Sequence, residues 1–247
     1  RNERKIRTMS AHANPDIVED GLILCLDAAD KKSYSGSGTT WYDRTSNNYN
    51  GVFVGTPQHS DLNKGVFEFD GVNTLIYSTI DADDYFTSGS FTWNIWAKHE
   101  SYSGVNQYMP DHGYGSGGWP RAGWYHDDTN ERWYWNSYSS AGSSSNYYLA
   151  HSSITNYLNW HMLTITIDRD NTVGKSYSNG ELDSTNNSVP DLAGNNNRFG
   201  VGRGGSTHGG WNNDWRGSVG SVQLYNRPIT SAEVLQNYNA TKSRFEL

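Results

Sequence analysis

Residues 159–184 read NWHMLTITIDRDNTVGKSYSNGELDS. Leu163, Ile165 and Ile167 alternate with Thr164 and Thr166, the period-2 pattern of a strand that buries one face. Further on, Asn179-Gly180 sits between two short runs. Both positions tolerate positive φ, which makes the pair the strongest short hairpin signal a sequence offers. The stretch predicts antiparallel strands rather than helices.

The same grammar extends in both directions. The continuous apolar run Leu22 to Leu26 in GLILCLDA predicts a strand covered on both faces. A long turn-rich segment follows, with Trp41 as its expected anchor. In VFEFDG, Phe67 and Phe69 fall on one face, Glu68 and Asp70 on the other. SFTWNIWAK alternates through Phe91, Trp93 and Ile95, as a half-buried strand should. Residues 101–121 show little periodicity and read as a Gly, Ser and aromatic loop. AGWYHDDTNERWYWNSY reads as a hairpin closing around Asp128 to Glu131. Symmetry about that turn pairs Trp124 with Trp135 and His126 with Trp133. RFGVGRG and SVGSVQLYNR supply two more short strands. One helix is expected, over 230–238, where Thr230 and Glu233 form a capping box ahead of Val234, Leu235 and Tyr238. Many short strands with one late helix predict an all-β sandwich of two antiparallel sheets. Without internal repeat or composition break, the chain reads as a basic arm over 1–16 and one domain over 17–247.

Composition supports burial through rings. The hydrophobic fraction is only 34%, yet 14% of residues are aromatic, including ten Trp and 17 Tyr. Disordered chains lack such rings, and each hides roughly 150–250 Å² when buried. The net charge is -7, and the first eight residues, RNERKIRT, carry four basic groups and one acid, +3 in all, leaving -10 on the body. An acidic body argues against nucleic acid as the main ligand, because phosphate binding needs a basic surface. The arm is expected to extend away from its own domain and contact a neighbouring subunit. Cys25 is the only cysteine, so no internal disulfide forms, and inside LILCL it reads as a small buried hydrophobe. No apolar run reaches the roughly eighteen residues of a membrane span, and no apolar core of a secretory leader follows the basic start.

In order along the chain, GLILCLDA, FEFDGVNTLI, SFTWNIWAK, NWHMLTITID with YSNGEL, and GSVGSVQLYNRPITSAEV resemble the strands of the concanavalin A-like, laminin G-like jelly-roll family. A narrower resemblance, to laminin G-like proteins of tailed-bacteriophage virions, rests on DIVEDGLILCLDAADKKSYSGSGTTWYD and LQNYNATKSRF. It implies a decoration or appendage protein on the virion surface, assembled in the host cytoplasm and present in multiple copies. Its partners would be other virion subunits, reached through the arm, and host or environmental polysaccharide. The alternatives are a purely structural virion protein and a lectin-like module of a bacterial surface protein.

No enzyme is expected. Glycosidases need two carboxyl groups at set spacing, and glucanases of this fold carry them as Glu-x-Asp-x-x-Glu on one strand. The nearest run, Glu181-Leu182-Asp183, lacks the third acid. No Gly-x-Ser-x-Gly elbow occurs, and His126-Asp127-Asp128 reads as a solvated turn rather than a metal site. No cofactor is expected either. Calcium is not favoured: relatives often carry acids after the FDG turn, where this chain has Val72-Asn73-Thr74. In the loop GRGGSTHGGWNNDW only Asp214 is acidic. Exposed rings are the stronger lead, because sugars lay their C–H faces on flat aromatics. Trp119, Trp211 and Trp215, in Gly- and Asn-rich loops, are the first candidates for carbohydrate binding. On the hairpin, alternation puts Trp124, His126, Trp133 and Trp135 on one face and Tyr125 and Tyr134 on the other. Either face could be the one packed inside.

Overall fold

The computed structural model describes residues 16–247 except 73, 82–84, 86–88, 101–106, 115–119, 128–129, 139–145, 190–197 and 203–214. The basic segment over residues 1–15 lies outside the described residues, so the expectation for the arm does too. In chain order the first strands are β1 (Leu22–Asp27), β2 (Thr40–Trp41), β3 (Gly51–Val54), β4 (Gln58–Ser60) and β5 (Val66–Asp70). Then come β6 (Leu75–Asp81), β7 (Phe91–His99), β8 (Gln107–Tyr114), β9 (Pro120–Asp127), β10 (Arg132–Tyr138) and β11 (Asn146–His151). The last are β12 (His161–Asp168), β13 (Val173–Ser178), β14 (Glu181–Asn186), β15 (Arg198–Val201) and β16 (Arg216–Tyr225). The helix α1 (Ser231–Thr241) follows.

The strands make two antiparallel sheets. The first runs β14-β13-β12-β7-β16-β5-β4, with β1 also pairing β16; the second runs β11-β10-β9-β8-β15-β6-β3-β2. This is the all-β jelly-roll sandwich that the alternation predicts. Leu163, Ile165 and Ile167 from the first sheet meet Trp124, Trp135 and Leu149 from the second in one buried cluster. The Asn179-Gly180 turn has φ of 53° and 88°, both in the left-handed region, and joins β13 to β14 with Ser178 opposite Glu181.

Two elements differ from the sequence pattern. Residues 107–114 form a strand, not a loop. Its register against β9 shifts between Tyr108 and Asp111, and Pro110, which has no backbone N–H to give a ladder, sits at that irregularity. A bulge breaks the period of two and hides the strand from a pattern search. Strand β7, expected to be half-buried, is covered on both faces. Its outer residues Thr92, Asn94 and Trp96 are 0–2% exposed. Thr164 Oγ1 donates to Asn94 Oδ1 at 2.6 Å, and Asn94 Nδ2 donates to Gln223 Oε1 at 2.6 Å. That polar row offsets the burial cost that such groups otherwise carry.

The cover is the C-terminal segment. Thr230 and Glu233 form the expected capping box, and Arg227 grips the same Glu233 carboxylate at 2.6 Å. Those contacts hold the Glu233 carboxyl well down, at about 2. Val234 and Tyr238 turn toward the sheet, whereas Leu235 is 45% exposed and not part of the packed stripe. Phe245 stacks on Trp96 at 4.1 Å, and Arg244 anchors the tail to Asp27 at 2.6 Å. The other terminus of the sandwich is pinned by Asp43, whose carboxylate accepts from the Cys25, Thr45 and Tyr49 amides at 2.9–3.0 Å. Cys25 is buried, which pushes its thiol up to about 12. It is the inert small hydrophobe expected.

Candidate functional site

The register of the central hairpin is the expected one: Trp135 pairs with Trp124, and Trp133 with His126. Strand β11 extends it, placing Leu149 opposite Trp135 and His151 opposite Trp133. The tryptophan side faces inward. Trp124 and His126 are 0% exposed, and Trp133 and Trp135 are 1% exposed. Trp124 meets Trp93 of the opposite sheet with centroids 5.0 Å apart, and His126 lies 5.2 Å from Trp133. These four are corrected as sugar-binding candidates, since a ring without accessible area offers no face to a ligand. Trp215 is corrected for the same reason: it is 0% exposed, 5.1 Å from Trp133 and 4.8 Å from His99. Its Gly- and Asn-rich surroundings suggested a rim position, but it sits one residue before β16 and turns into the core. Trp119 and Trp211 lie outside the described residues.

A buried chain of hydrogen bonds crosses between the sheets beside these rings. Trp124 Nε1 donates to His151 Nε2 at 2.9 Å, which assigns the ring proton to Nδ1. That Nδ1 is 3.0 Å from Ser178 Oγ, whose own hydroxyl donates to Asp183 Oδ2 at 2.7 Å. Burial is the larger influence on His151, lowering it to about 4 and keeping it neutral, while the Asp183 charge opposes the shift. Asp183 also accepts from the Ser153 amide at 3.1 Å and its hydroxyl at 2.8 Å. The carboxylate of the nearest glucanase-like pair is therefore engaged in closing one side of the sandwich, while its neighbour Glu181 is exposed.

The tyrosine side of the same strands faces outward. Tyr125 and Tyr134 pair across β9 and β10 and stack with centroids 5.4 Å apart and planes 19° from parallel, Tyr125 buried at 8% exposure and Tyr134 half-buried. Tyr148 on β11 meets Tyr134 edge-on at 6.2 Å and is 40% exposed. Asp127 and Arg132 are opposite each other in register at the end of the array, and Gly123 opposite Asn136 leaves a position without a side chain within it. An aromatic surface with polar groups at its margin suits the C–H faces and hydroxyls of a sugar. The alternation of NYYLA, with Tyr147 and Leu149 buried and Tyr148 out, carried the signal for Tyr148. It was missed because β11 is short and preceded by a Ser-rich run.

Among the described residues, no three His, Cys, Asp or Glu side chains converge as a metal cage. The Asp70 carboxylate, the acid retained at the FDG turn, accepts from Thr74 Oγ1 at 2.8 Å and the Val72 amide at 3.0 Å. No helix among the described residues is long and apolar enough to cross a membrane.

A family model described as the concanavalin A-like lectin/glucanases superfamily matches residues 70–235. No curated protein matches the sequence. Among solved structures, the binding domain of Paraclostridial Mosquitocidal Protein 1 superposes with a TM-score of 0.66 at 16% identity, covering 89% of this chain and 52% of that one. Trypanosoma rangeli sialidase in complex with the inhibitor DANA gives 0.65 at 18%, covering 95% of this chain and 36% of the enzyme. This chain thus spans about half of the first and about a third of the second. Domain 4 of AbnA, an extracellular arabinanase from Geobacillus stearothermophilus in complex with arabinotriose, gives 0.63 at 18%, covering 90% of this chain and 100% of that domain.

Proposed function

Because the chain belongs to the concanavalin A-like lectin/glucanases superfamily, we propose that it is a non-catalytic carbohydrate-binding module displayed on the virion of a tailed phage. The observation that carries the binding reading is the outward pair of rings Tyr134 and Tyr148 on adjacent strands, backed from beside them by the buried ring of Tyr125. Two further points support it. The arabinanase domain that superposes over its whole length was solved with arabinotriose, and another similar structure comes from work on ganglioside interaction by a botulinum neurotoxin. The non-catalytic part is supported by Asp183, whose carboxylate is taken up by Ser178 and Ser153. The virion part rests on the two terminal segments that resemble phage laminin G-like proteins, and Trp119 and Trp211 remain candidate contacts from the sequence.

A shallow stacking surface supplies few contacts, so millimolar affinity per site, roughly -4 kcal/mol, is the natural scale. Many copies on one particle would raise retention without any new contact. The test is a glycan array probed with a multivalent display of the chain and of its Tyr134→Ala/Tyr148→Ala variant, with reducing-sugar release measured in parallel. Retention of a polysaccharide by the parent and its loss in the variant are expected, with no sugar released. Equal retention by both proteins would move binding off this face, and released sugar would make the chain an enzyme.

A further inference from the structure

The outer face of the first sheet, on the side opposite the tyrosines, is only partly roofed. Phe245 covers it at Trp96 and Gly220; a Cβ on Gly220 would come within 2.6 Å of that ring. Among the described residues, the cover stops past Phe245. The next outward row is Glu68 on β5, Ser218 on β16 and Lys98 on β7, held in line by pairing of Ser218 with both neighbours. Leu62, 65% exposed, and Leu158, 37% exposed, rise beside the row. Together with His99, Glu100 and Gly217 they line a groove of about 360 Å³. Gly217, next to the row, admits no side chain, since a Cβ there would lie 2.3 Å from the Lys98 carbonyl oxygen and 2.5 Å from the Trp215 ring.

The charges in this groove are arranged unusually. Glu68 and Lys98 are each half-buried, yet among the described residues neither side chain makes an ion pair or hydrogen bond. Glu100, by contrast, is paired with Arg216 at 3.5 Å. Two strand spacings separate Glu68 from Lys98, roughly 10 Å, so they are not placed to satisfy each other. Half-burying two unmatched charges costs free energy unless something between them makes hydrogen bonds. The groove's volume falls at the small end of the range for ligand sites. With Glu100 paired to Arg216, the one carboxylate of Glu68 and the one ammonium of Lys98 leave the groove without net charge, which suits a neutral ligand.

We propose that this groove is a second saccharide site, independent of the tyrosine array and seating one or two neutral sugar units. Sugar hydroxyls donate to the Glu68 carboxylate and accept from the Lys98 ammonium, with the Ser218 hydroxyl between them. The ring's C–H surface lies against Leu62 and Leu158. With sites on opposite outer faces of the sandwich, one chain bridges two glycan strands. The inference rests on the carbohydrate reading and names a site that reading does not need.

The experiment uses the full chain with ¹³C-labelled leucine methyls and tyrosine rings, titrated with free glucose, galactose, N-acetylglucosamine and arabinotriose. At least one sugar is expected to give saturable shifts at the Leu62 and Leu158 methyls. Glu68→Gln and Lys98→Met should each weaken that binding about tenfold or more, the scale of a lost hydrogen bond to a charged group, while Tyr148→Ala leaves it unchanged. Amide spectra establish that the variants are folded, and Leu158→Ala serves as a second probe of the wall. Shifts confined to the Tyr134 and Tyr148 rings overturn the second site and leave the carbohydrate reading standing. Shifts at the leucines that survive all three groove substitutions overturn the assigned contacts. No shift on either face, with any of the four sugars, overturns the second site, and an empty glycan array beside it removes the carbohydrate reading as well.

Discussion

Strands β9 and β10 present tryptophan to one side and tyrosine to the other, β11 adds Tyr147 and Leu149 inward and Tyr148 outward, and the two sides live in different environments. Inward, Trp124, Trp133 and Trp135 are 0–1% exposed and meet Trp93, Trp215 and Phe91 across the core. Outward, Tyr134 is half-buried and Tyr148 is 40% exposed. The indole, larger and less polar, serves where packing density decides stability. The phenol serves where one edge of the ring stays wet. Chemistry that looks similar in the sequence is divided by the pleat into scaffold and surface.

That division predicts a large asymmetry in stability. Trp133→Ala should destabilise the fold by about 3–5 kcal/mol, the range for emptying a buried aromatic position. Tyr134→Ala, one residue along, should cost about 1 kcal/mol, mainly its stacking with Tyr125. Urea unfolding of the two variants measures both. Equal losses would mean that the outer tyrosines are core in all but position.

The next largest effect comes from the polar strut on the inner side. Burial keeps His151 neutral in the fold, its pKa lowered from 6.5 to about 4. The unfolded chain takes up that proton as pH falls below about 6.5, whereas the folded chain does not until near 4. A folded pKa below the unfolded one means protons favour the unfolded state. Stability is therefore full above pH 6.5 and declines toward pH 4, by about 1.4 kcal/mol per unit at most. His161, also lowered by burial, adds in the same direction. Unfolding followed at pH 7 and pH 5 should show the decline in the parent. His151→Gln should be less stable at pH 7 and lose less on acidification. An unchanged slope in the variant would remove His151 from the account.

Local chemistry was legible in the sequence wherever neighbours in the chain are neighbours in the fold. The hairpin register, the Asn179-Gly180 turn and the Thr230–Glu233 cap all depend on residues a few positions apart. What pattern could not supply was cover. Alternation separates Trp133 from Tyr134 but does not say which sheet lies over which face. Thr92 and Asn94 read as a solvent face, because the segment that buries them arrives some 130 residues later: Thr92 Oγ1 donates to the Arg227 carbonyl. Trp215 failed as a rim candidate for a related reason. Its flanking Gly and Asn residues describe the loop that precedes it, whereas its ring belongs to the core that β16 enters. Strand β8 was lost to a bulge, which destroys the period being searched.

The smallest expected change in stability tests the comparison most directly. Tyr148 lies on β11 at the margin of the array, with 40% of its surface exposed and its ring edge-on to Tyr134. Removing it empties no cavity, so Tyr148→Ala should shift unfolding by about 0.5 kcal/mol or less, as surface substitutions do. Its effect on carbohydrate retention should be much larger than its effect on stability, because stacking area is lost where a ligand would lie. Tyr148→Phe separates ring from hydroxyl: retention close to the parent would assign binding to the aromatic face, and loss would assign it to the phenol oxygen. The comparison breaks if Tyr148→Ala unfolds as readily as Trp133→Ala. The outer tyrosines would then be part of the scaffold, and the array would no longer carry a binding function.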